Sequence, residues 1–172
     1  AREDIGRGLR HLHEYEELNE AAVLSTCNRS ELYAVVDDAA EGLASMHQFL
    51  FDLTGNEEDI EEYLYSYENE KCIDHLFRVA SSLDSLVIGE GQILSQVKQA
   101  YALARDAEAT STILNLLFHR AIATGKRVRT ETRIAFSAVS VSYAAVELVR
   151  SMFGDLSHSN VLIFGAGKMA EL

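Results

Sequence analysis

The sequence predicts an α+β fold, in which a small antiparallel sheet is combined with several helices and followed by the start of an α/β domain. Two short apolar runs near the amino terminus, joined by a polar connection, indicate the strand pair. Longer segments with apolar residues three and four positions apart indicate the helices. An apolar run directly before a glycine-rich turn is typical of the first strand of an α/β domain. We expect one domain over residues 1–135, and a connecting helix with the start of another over 136–172.

The first 20 residues predict a polar helix with one apolar stripe. The stripe consists of Ile5, Leu9, Leu12 and Tyr15. Apolar runs at 21–24 and 32–36 then predict two antiparallel strands. The connection between them, residues 25–30, is polar and contains a thiol.

Helices dominate the remainder of the chain. A helix over 39–53 ends near Gly55, residues 57–59 form an acidic turn, and alternation over 63–67 predicts a strand. Four further helices are predicted at 70–82, 91–108, 112–133 and 137–153, with Gly89-Glu90-Gly91 separating the first two. A polar connection over 155–160 leads into a buried strand at 161–164.

The composition is that of an ordinary globular protein. The 172 residues are 48% apolar and 24% charged, which argues against disorder and low-complexity architectures. The apolar runs are far shorter than the roughly 20 residues of a transmembrane helix, so we expect no membrane association. Two cysteines cannot form the disulfide framework of a small secreted domain, and no signal peptide precedes them. A cytoplasmic location is therefore expected.

The net charge of −12 argues against a generic nucleic-acid coat, but the charge is unevenly placed. Residues 1–70 hold 18 acidic and 4 basic side chains, whereas residues 71–172 hold 9 acidic and 11 basic ones. Four of these bases form a cluster, Lys126, Arg127, Arg129 and Arg133. The simplest interpretation of this cluster is a solvated helix face.

The glycine-rich turn is the first candidate binding motif. It consists of Gly165, Ala166, Gly167, Lys168, Met169 and Ala170. In Rossmann-type domains the first glycine makes the tight turn and the second allows the backbone to approach a pyrophosphate. An ordinary strand-to-helix turn has the same spacing, and the residue that would discriminate NADP from NAD lies about 20 positions further on.

Cys27 is the candidate nucleophile. A free cysteine is usually a small buried apolar residue, but Thr26, Asn28 and Arg29 beside it are hydrogen-bonding groups. If strand geometry extends this far, Arg29 shares a face with Cys27. A nearby cation favours the thiolate, which is the reactive form.

Cys72 and His75 lie three residues apart on a predicted helix, which places them on one face. No second pair stands at zinc-ligand spacing and a structural zinc needs four ligands, so we predict no metal site. His75 is a helix-surface imidazole, a half-buried hydrogen-bonded one, or a base near the thiol.

From the residues alone, two function classes remain. One is an NAD(P)-dependent enzyme that forms a thioester on a cysteine. The other is a noncatalytic helical interaction domain beside a nucleotide-binding module.

Four stretches together resemble the glutamyl-tRNA reductase family, the first enzyme of five-carbon tetrapyrrole biosynthesis. They are Leu24–Tyr33, His75–Lys98, Lys126–Thr132 with Ser137–Val141, and Val161–Ala170. The resemblance implies NADPH-dependent reduction of glutamyl-tRNA to glutamate-1-semialdehyde. Residues 1–135 would be the catalytic, glutamyl-tRNA-binding domain and 136–172 the start of the NADPH-binding domain.

The resemblance also implies site residues. Cys27 and His75 would be catalytic, and the turn Gly165–Ala170 would bind NADPH. The substrate contacts would be Thr26, Asn28, Arg29, Ser85, Glu90, Gly91, Gln92 and Gln96. The basic cluster would touch tRNA phosphates. The family usually has glycine where Ser82 stands and proline where Gly91 stands.

Partners follow from the same resemblance. The full-length protein would be a homodimer and would pass its product to glutamate-1-semialdehyde aminomutase. This chain would not be competent for reduction by itself. The alternative is a fragment or divergent relative that binds or deacylates glutamyl-tRNA without reducing it.

Overall fold

The computed structural model describes residues 2–55, 63–134, 141–160 and 162. The elements in chain order are α1 (Arg2–Arg10), a 3-10 turn (Leu12–Glu14), β1 (Glu20–Ser25), β2 (Ser30–Val35), α2 (Ala39–Thr54), α3 (Asn69–Ala80), α4 (Gln92–Asp106), α5 (Thr112–Glu131) and α6 (Val141–Phe153). This confirms the predicted α-rich fold with a small antiparallel sheet. None of the helices within the described ranges is long and apolar enough to cross a membrane.

The sheet consists of β1 and β2, paired antiparallel from Glu20 opposite Val35 to Ser25 opposite Ser30. Five successive residues of β1 are buried, because α4, α5 and α1 all pack against this strand. A strand covered on both faces does not need to alternate apolar and polar residues. The sheet therefore lies inside the helical layer rather than on its surface.

The core lies where α3, α4 and α5 meet the sheet. Its largest fully buried side chains include Phe118, Leu76 and Leu114, and Phe49 of α2 is buried against Tyr15. Phe118 is edge-on to Tyr33 and stacked on Tyr101, with ring centroids 5.7 Å and 5.5 Å away. Each such side chain contributes about 1.5–3 kcal/mol on burial.

A buried carboxylate joins β1 to α5. Glu20, the first residue of β1, accepts hydrogen bonds from the backbone amides of Ser111 (2.7 Å), Ile113 (2.9 Å) and Leu114 (2.8 Å). These amides belong to the N-cap residue Ser111 and to the first turn of α5, where backbone donors have no intrahelical acceptor. Glu20 therefore fixes the helix start to the sheet across about 90 residues of sequence and complements the helix dipole.

Helix ends follow their local sequence closely. The Asp38 carboxylate accepts from the amides of Ala40 (2.8 Å) and Glu41 (3.0 Å) at the start of α2, and Gly55 ends that helix at φ 62°. A side-chain acceptor before the first turn and a left-handed glycine after the last are the usual caps. The predicted helix over 39–53 is confirmed.

The predicted strand over 63–67 is wrong. Residues 64–68 form an irregular segment that pairs with neither β1 nor β2. The alternating tyrosines instead line a cleft together with His75 of α3 and residues of the β1–β2 loop. Apolar residues at every second position indicate that their side chains lie on one side of an extended segment. They do not indicate that a neighbouring strand is hydrogen-bonded to it.

Smaller differences concern helix ends and the carboxy-terminal region. The helices predicted to end at 108 and 133 end at Asp106 and Glu131, since Glu108 has φ 57° and Thr132 is extended. The acidic turn at 57–59, helix residues 137–140 and the glycine-rich turn at 165–170 lie outside the described residues. So does the predicted strand at 161–164, apart from Leu162.

The loop before α4 contains Ser82 and Gly91, the two positions at which the family usually has glycine and proline. Ser82 is fully buried at φ 60°, a backbone region that favours glycine, and its hydroxyl donates to the Glu90 carbonyl at 2.8 Å. Gly91 has φ −79°, within the range that proline imposes. Ser82 thus offsets its backbone strain with a buried hydrogen bond, and Gly91 keeps the conformation of a more rigid residue.

We expect alanine to destabilise the protein to different extents at the two glycines of this loop. At Gly89, with φ 84°, a Cβ would lie 2.3 Å from the Ile134 carbonyl oxygen. At Gly91 the nearest atom would be an Arg129 guanidinium nitrogen at 3.1 Å, the far end of a long side chain that can shift by a few tenths of an ångström. Gly89→Ala should lower the free energy of unfolding by about 2 kcal/mol or more, and Gly91→Ala by less than about 1 kcal/mol. Urea denaturation tests this, and equal losses would contradict the loop geometry.

Candidate active site

The thiol of Cys27 lies at the tip of the β1–β2 hairpin. The loop is closed by Thr26, whose amide donates to the Arg29 carbonyl at 2.8 Å. The Thr26 hydroxyl oxygen accepts from the amides of Asn28 and Arg29, both at 3.2 Å. Cys27 itself is exposed. Since β1 ends at Ser25 and β2 begins at Ser30, strand geometry does not extend to Cys27 and Arg29, and the condition for their sharing a strand face is not met.

The Arg29 guanidinium is turned toward two carboxylates. It donates to Glu31 at 3.0 Å, to the Asp84 carboxylate at 3.3 Å, and to the Asp84 backbone carbonyl. The side chain is only 13% exposed. Arg29 therefore ties the hairpin to the loop after α3, and its charge is shared with Glu31 and Asp84 rather than directed to a thiol alone.

Glu31 is the centre of a buried hydrogen-bond network. Its carboxylate accepts from the hydroxyls of Tyr33 (2.6 Å) and Tyr65 (2.8 Å) and contacts Nε2 of His75 at 2.8 Å. Burial by itself raises the pKa of Glu31, but the hydrogen bonds from Tyr33, His75 and Tyr65 outweigh it and hold that pKa below its usual range. Glu31 is therefore ionised at neutral pH.

His75 lies on α3 and is half-buried. Because a carboxylate can only accept, we assign a proton to Nε2, which faces Glu31, and this fixes the ring orientation. The other nitrogen, Nδ1, is 3.9 Å from the Asp84 carboxylate. The Tyr67 and Tyr65 rings lie 5.1 Å and 5.8 Å from the imidazole, which closes two further sides.

Beside the hairpin loop lies an open cleft of about 460 Å³. It is lined by Asn28, Arg29, Ser30, Tyr63, Tyr65, Tyr67, His75 and Asp84. A second compartment of about 450 Å³ shares Tyr67, His75 and Asp84 with it and continues along α3. Both volumes are typical of small-molecule sites. The cleft thus brings together three of the predicted site residues, Asn28, Arg29 and His75.

The other predicted substrate residues lie at the start of α4. The Glu90 carboxylate accepts from the amides of Gln92 and Ile93, both at 2.9 Å, and so caps the helix that Gly91 precedes. Gln92 is exposed and Gln96, one turn later, is half-buried on the same side. Ser85 follows Asp84 and is half-buried. Glu90 therefore has a structural role whatever else it contacts.

The two cysteines differ in environment. Cys72 is half-buried on α3, and burial, with the charge of Glu31, raises the pKa of its thiol. Burial in this way reduces the thiolate fraction. Cys27 is exposed beside the cleft, so it is the more accessible thiol of the two.

The basic cluster is not a set of four free cations. Arg127 pairs with Glu131 at 3.2 Å, one turn away on α5. Arg129 is half-buried and donates to the Glu90 carbonyl at 3.2 Å. Residues two apart on a helix point in different directions, which the sequence cluster conceals.

Sequence reasoning missed Glu31, Asp84 and Tyr65. Glu31 had a usable signal, because a carboxylate that alternates with Tyr33 on one face of an apolar strand is expected to need partners. Asp84 had no such signal. It stands 55 residues from Arg29 in the sequence and meets it only through the fold.

We expect Glu31 to make stability depend on pH. Its folded pKa lies below its unfolded value of about 4.3. Its contribution is therefore present above pH 4.3 and lost as pH falls through the folded pKa. Between pH 5 and 3 the wild type should lose more free energy of unfolding than Glu31→Gln, measured by urea denaturation. The exposed Glu41→Gln serves as control, and parallel profiles of wild type and Glu31→Gln would contradict the network.

Comparisons with known proteins agree with one another. The family model for the amino-terminal domain of glutamyl-tRNAGlu reductase matches residues 1–132. The glutamyl-tRNA reductases of Pelobacter propionicus and Geobacter sulfurreducens are each 53% identical to this chain, over 98% and 95% of its length. The matches cover 39% and 38% of those two proteins. The chain thus spans about two fifths of the length of these curated relatives.

The solved structure of glutamyl-tRNA reductase from Methanopyrus kandleri is also similar. It matches with a TM-score of 0.62 and 35% sequence identity, over 99% of this chain and 42% of that one. Sequence and structure therefore point to one family for the hairpin, the cleft and the helices around them. This chain belongs to the glutamyl-tRNA reductase family.

Proposed function

We propose that the full-length protein reduces glutamyl-tRNA to glutamate-1-semialdehyde with NADPH, through a thioester on Cys27. The observation that carries this proposal is an exposed thiol in a hairpin loop whose next two residues, Asn28 and Arg29, line a polar cleft together with His75. Because the chain spans about two fifths of its relatives, the proposal concerns the whole protein. It places the reaction at the start of tetrapyrrole biosynthesis.

The first step is acyl transfer. The Cys27 thiolate attacks the ester carbonyl carbon, a carbon–sulfur bond forms, and the carbon–oxygen bond to the terminal ribose breaks. The tRNA hydroxyl leaves with a proton. The thioester that remains on Cys27 is more electrophilic than a carboxylate, which prepares the acyl group for reduction.

His75 is the group best suited to move protons in this step. Its ring is held by Glu31 through Nε2, so its orientation does not have to be fixed when substrate binds. We therefore propose His75 as the acid–base or electrostatic group, and Glu31 as the residue that positions it.

The remaining predicted residues would bind the glutamyl group. Thr26 holds the loop, while Asn28 and Arg29 present donors at the cleft. We propose further contacts from the residues near the start of α4 and the loop before it, namely Ser85, Glu90, Gly91, Gln92 and Gln96. Arg29 would meet a substrate carboxylate by exchanging one of its present partners, Glu31 or Asp84.

NADPH supplies a hydride when bound. Its proposed binding residues, Gly165 to Ala170, lie outside the described residues, and the support for them is the glycine spacing after an apolar run. We further propose that the full-length protein is a homodimer and that glutamate-1-semialdehyde aminomutase receives its product.

Incubation of the full-length protein with glutamyl-tRNA and NADPH tests the function. We expect deacylation of the tRNA and oxidation of NADPH in equal amounts. The present chain, tested alongside, should give deacylation at most. Deacylation without NADPH oxidation by the full-length protein would support the alternative, a relative that binds or deacylates glutamyl-tRNA without reducing it. If the full-length protein neither deacylates the tRNA nor oxidises NADPH, the proposed function and the alternative are both contradicted.

A further inference from the structure

Three tyrosines turn their rings into the cleft. Tyr63, Tyr65 and Tyr67 alternate along the irregular segment before α3, and all three line the 460 Å³ cleft. Their exposed fractions are 79%, 58% and 47%. Neighbouring aromatic rings left this open to solvent indicate a surface that is covered when a ligand binds.

The three rings are held to different degrees. Tyr65 is fixed, because its hydroxyl donates to Glu31 and its ring is edge-on to His75. Tyr67 packs obliquely on Tyr65 and His75, at 5.3 Å and 5.1 Å between centroids. No ring among the described residues stacks on Tyr63. Tyr65 and Tyr67 thus form a preformed wall, and Tyr63 is free to pack on a ligand.

The side-chain charges of the second compartment, of about 450 Å³ along α3, do not favour binding of a polyanion. Lys71 and Arg78 line it, but so do Glu70, Asp74 and the shared Asp84. Neutralisation of phosphates therefore gives little affinity here. A ligand that uses this surface must gain its affinity from flat, apolar faces, and unpaired nucleobases have such faces.

We propose that the tyrosine cleft binds the unpaired 3′-terminal nucleotide of the acyl-tRNA by stacking its base on these rings. The inference rests on the proposed function. In that reaction the ester carbon at Cys27 is attached to the terminal ribose, so the base on the same ribose lies beside the hairpin loop. Asn28, next to Cys27, lines the same cleft and offers an amide to the base edge.

A tRNA whose 3′-terminal base is 2-aminopurine tests the proposal in the full-length protein, because stacking quenches its fluorescence. The wild type should quench it. Tyr63→Ala with Tyr67→Ala should abolish the quenching and raise KM for glutamyl-tRNA roughly 5-fold to 100-fold for each stacking ring removed. Replacing both by phenylalanine should preserve both readouts, since the rings remain. The salt dependence of tRNA affinity should not change, because no phosphate contact is lost.

Phe51→Ala, an exposed ring on α2, is the matched control and should leave both readouts at wild-type values. If the wild type makes aldehyde, and the double variant Tyr63→Ala, Tyr67→Ala quenches the fluorescence and turns over at the wild-type rate, only the stacking site is overturned. If the wild type makes no aldehyde, the proposed function is overturned, while loss of quenching in the alanine variant still supports the stacking site. Tyr63→Ala alone removes a ring that is 79% exposed, so it tests the site without disturbing the fold.

Discussion

Replacement of Cys27 by serine in the full-length protein is expected to abolish formation of glutamate-1-semialdehyde, with a loss in kcat of at least about 10³-fold. A serine hydroxyl is a much weaker nucleophile than a thiolate, and it would form only an oxygen ester, which accepts hydride poorly. Aldehyde formation from glutamyl-tRNA and NADPH is the measurement.

Cys72→Ser is the matched control for this variant. Cys72 is half-buried on α3 and its thiol pKa is raised by burial, so its loss should leave most of the turnover intact. Normal turnover by Cys27→Ser, or equal losses in the two variants, would contradict the assignment of the nucleophile.

The largest expected effect on stability belongs to Glu20→Ala. Glu20 is 4% exposed and satisfies three amides in the first turn of α5. Removing it leaves the buried amide of Leu114 and the part-buried amides of Ser111 and Ile113 without their acceptor. The cost is about 1–3 kcal/mol for the fully buried donor and less for each of the other two. We expect the free energy of unfolding to fall by roughly 3–5 kcal/mol, a large part of the total for a typical domain.

Two variants make this prediction specific. Glu20→Gln keeps one oxygen acceptor and should lose about half as much free energy of unfolding as Glu20→Ala. Glu14→Ala removes an exposed carboxylate from the neighbouring 3-10 turn and should change stability by no more than about 0.5 kcal/mol. Urea denaturation followed by circular dichroism measures all three, and a loss below 1 kcal/mol for Glu20→Ala would contradict the capping role.

Local patterns predicted most of the secondary structure. The strand pair and the helix over 39–53 followed from short-range signals, namely apolar periodicity, Asp38 before the helix and Gly55 after it. The segment 63–67 failed because alternation does not reveal whether a strand neighbour exists. Sheet pairing depends on where the β1–β2 edges lie in the fold, and no local signal reports that.

The candidate site was predictable only in part. The hairpin residues around Cys27 stand together in the sequence, and His75 was identified as a possible partner. The hydrogen-bond network around them was not predictable, since Tyr65 and His75 stand 34 and 44 residues from Glu31 in the sequence and contact it only in the folded chain. The contacts of the basic cluster were not predictable either, because Arg129 donates to the carbonyl of Glu90, which stands 39 residues earlier in the chain.

The most direct test of the account is to trap the acyl group on the protein. Full-length protein is incubated with glutamyl-tRNA without NADPH, quenched in acid, digested, and its peptides are analysed by mass spectrometry. We predict a glutamyl adduct on the peptide that contains Cys27, which is released by hydroxylamine and consumed when NADPH is added before the quench. An adduct on the Cys72 peptide, or aldehyde formation with no adduct on Cys27, would contradict the thioester account.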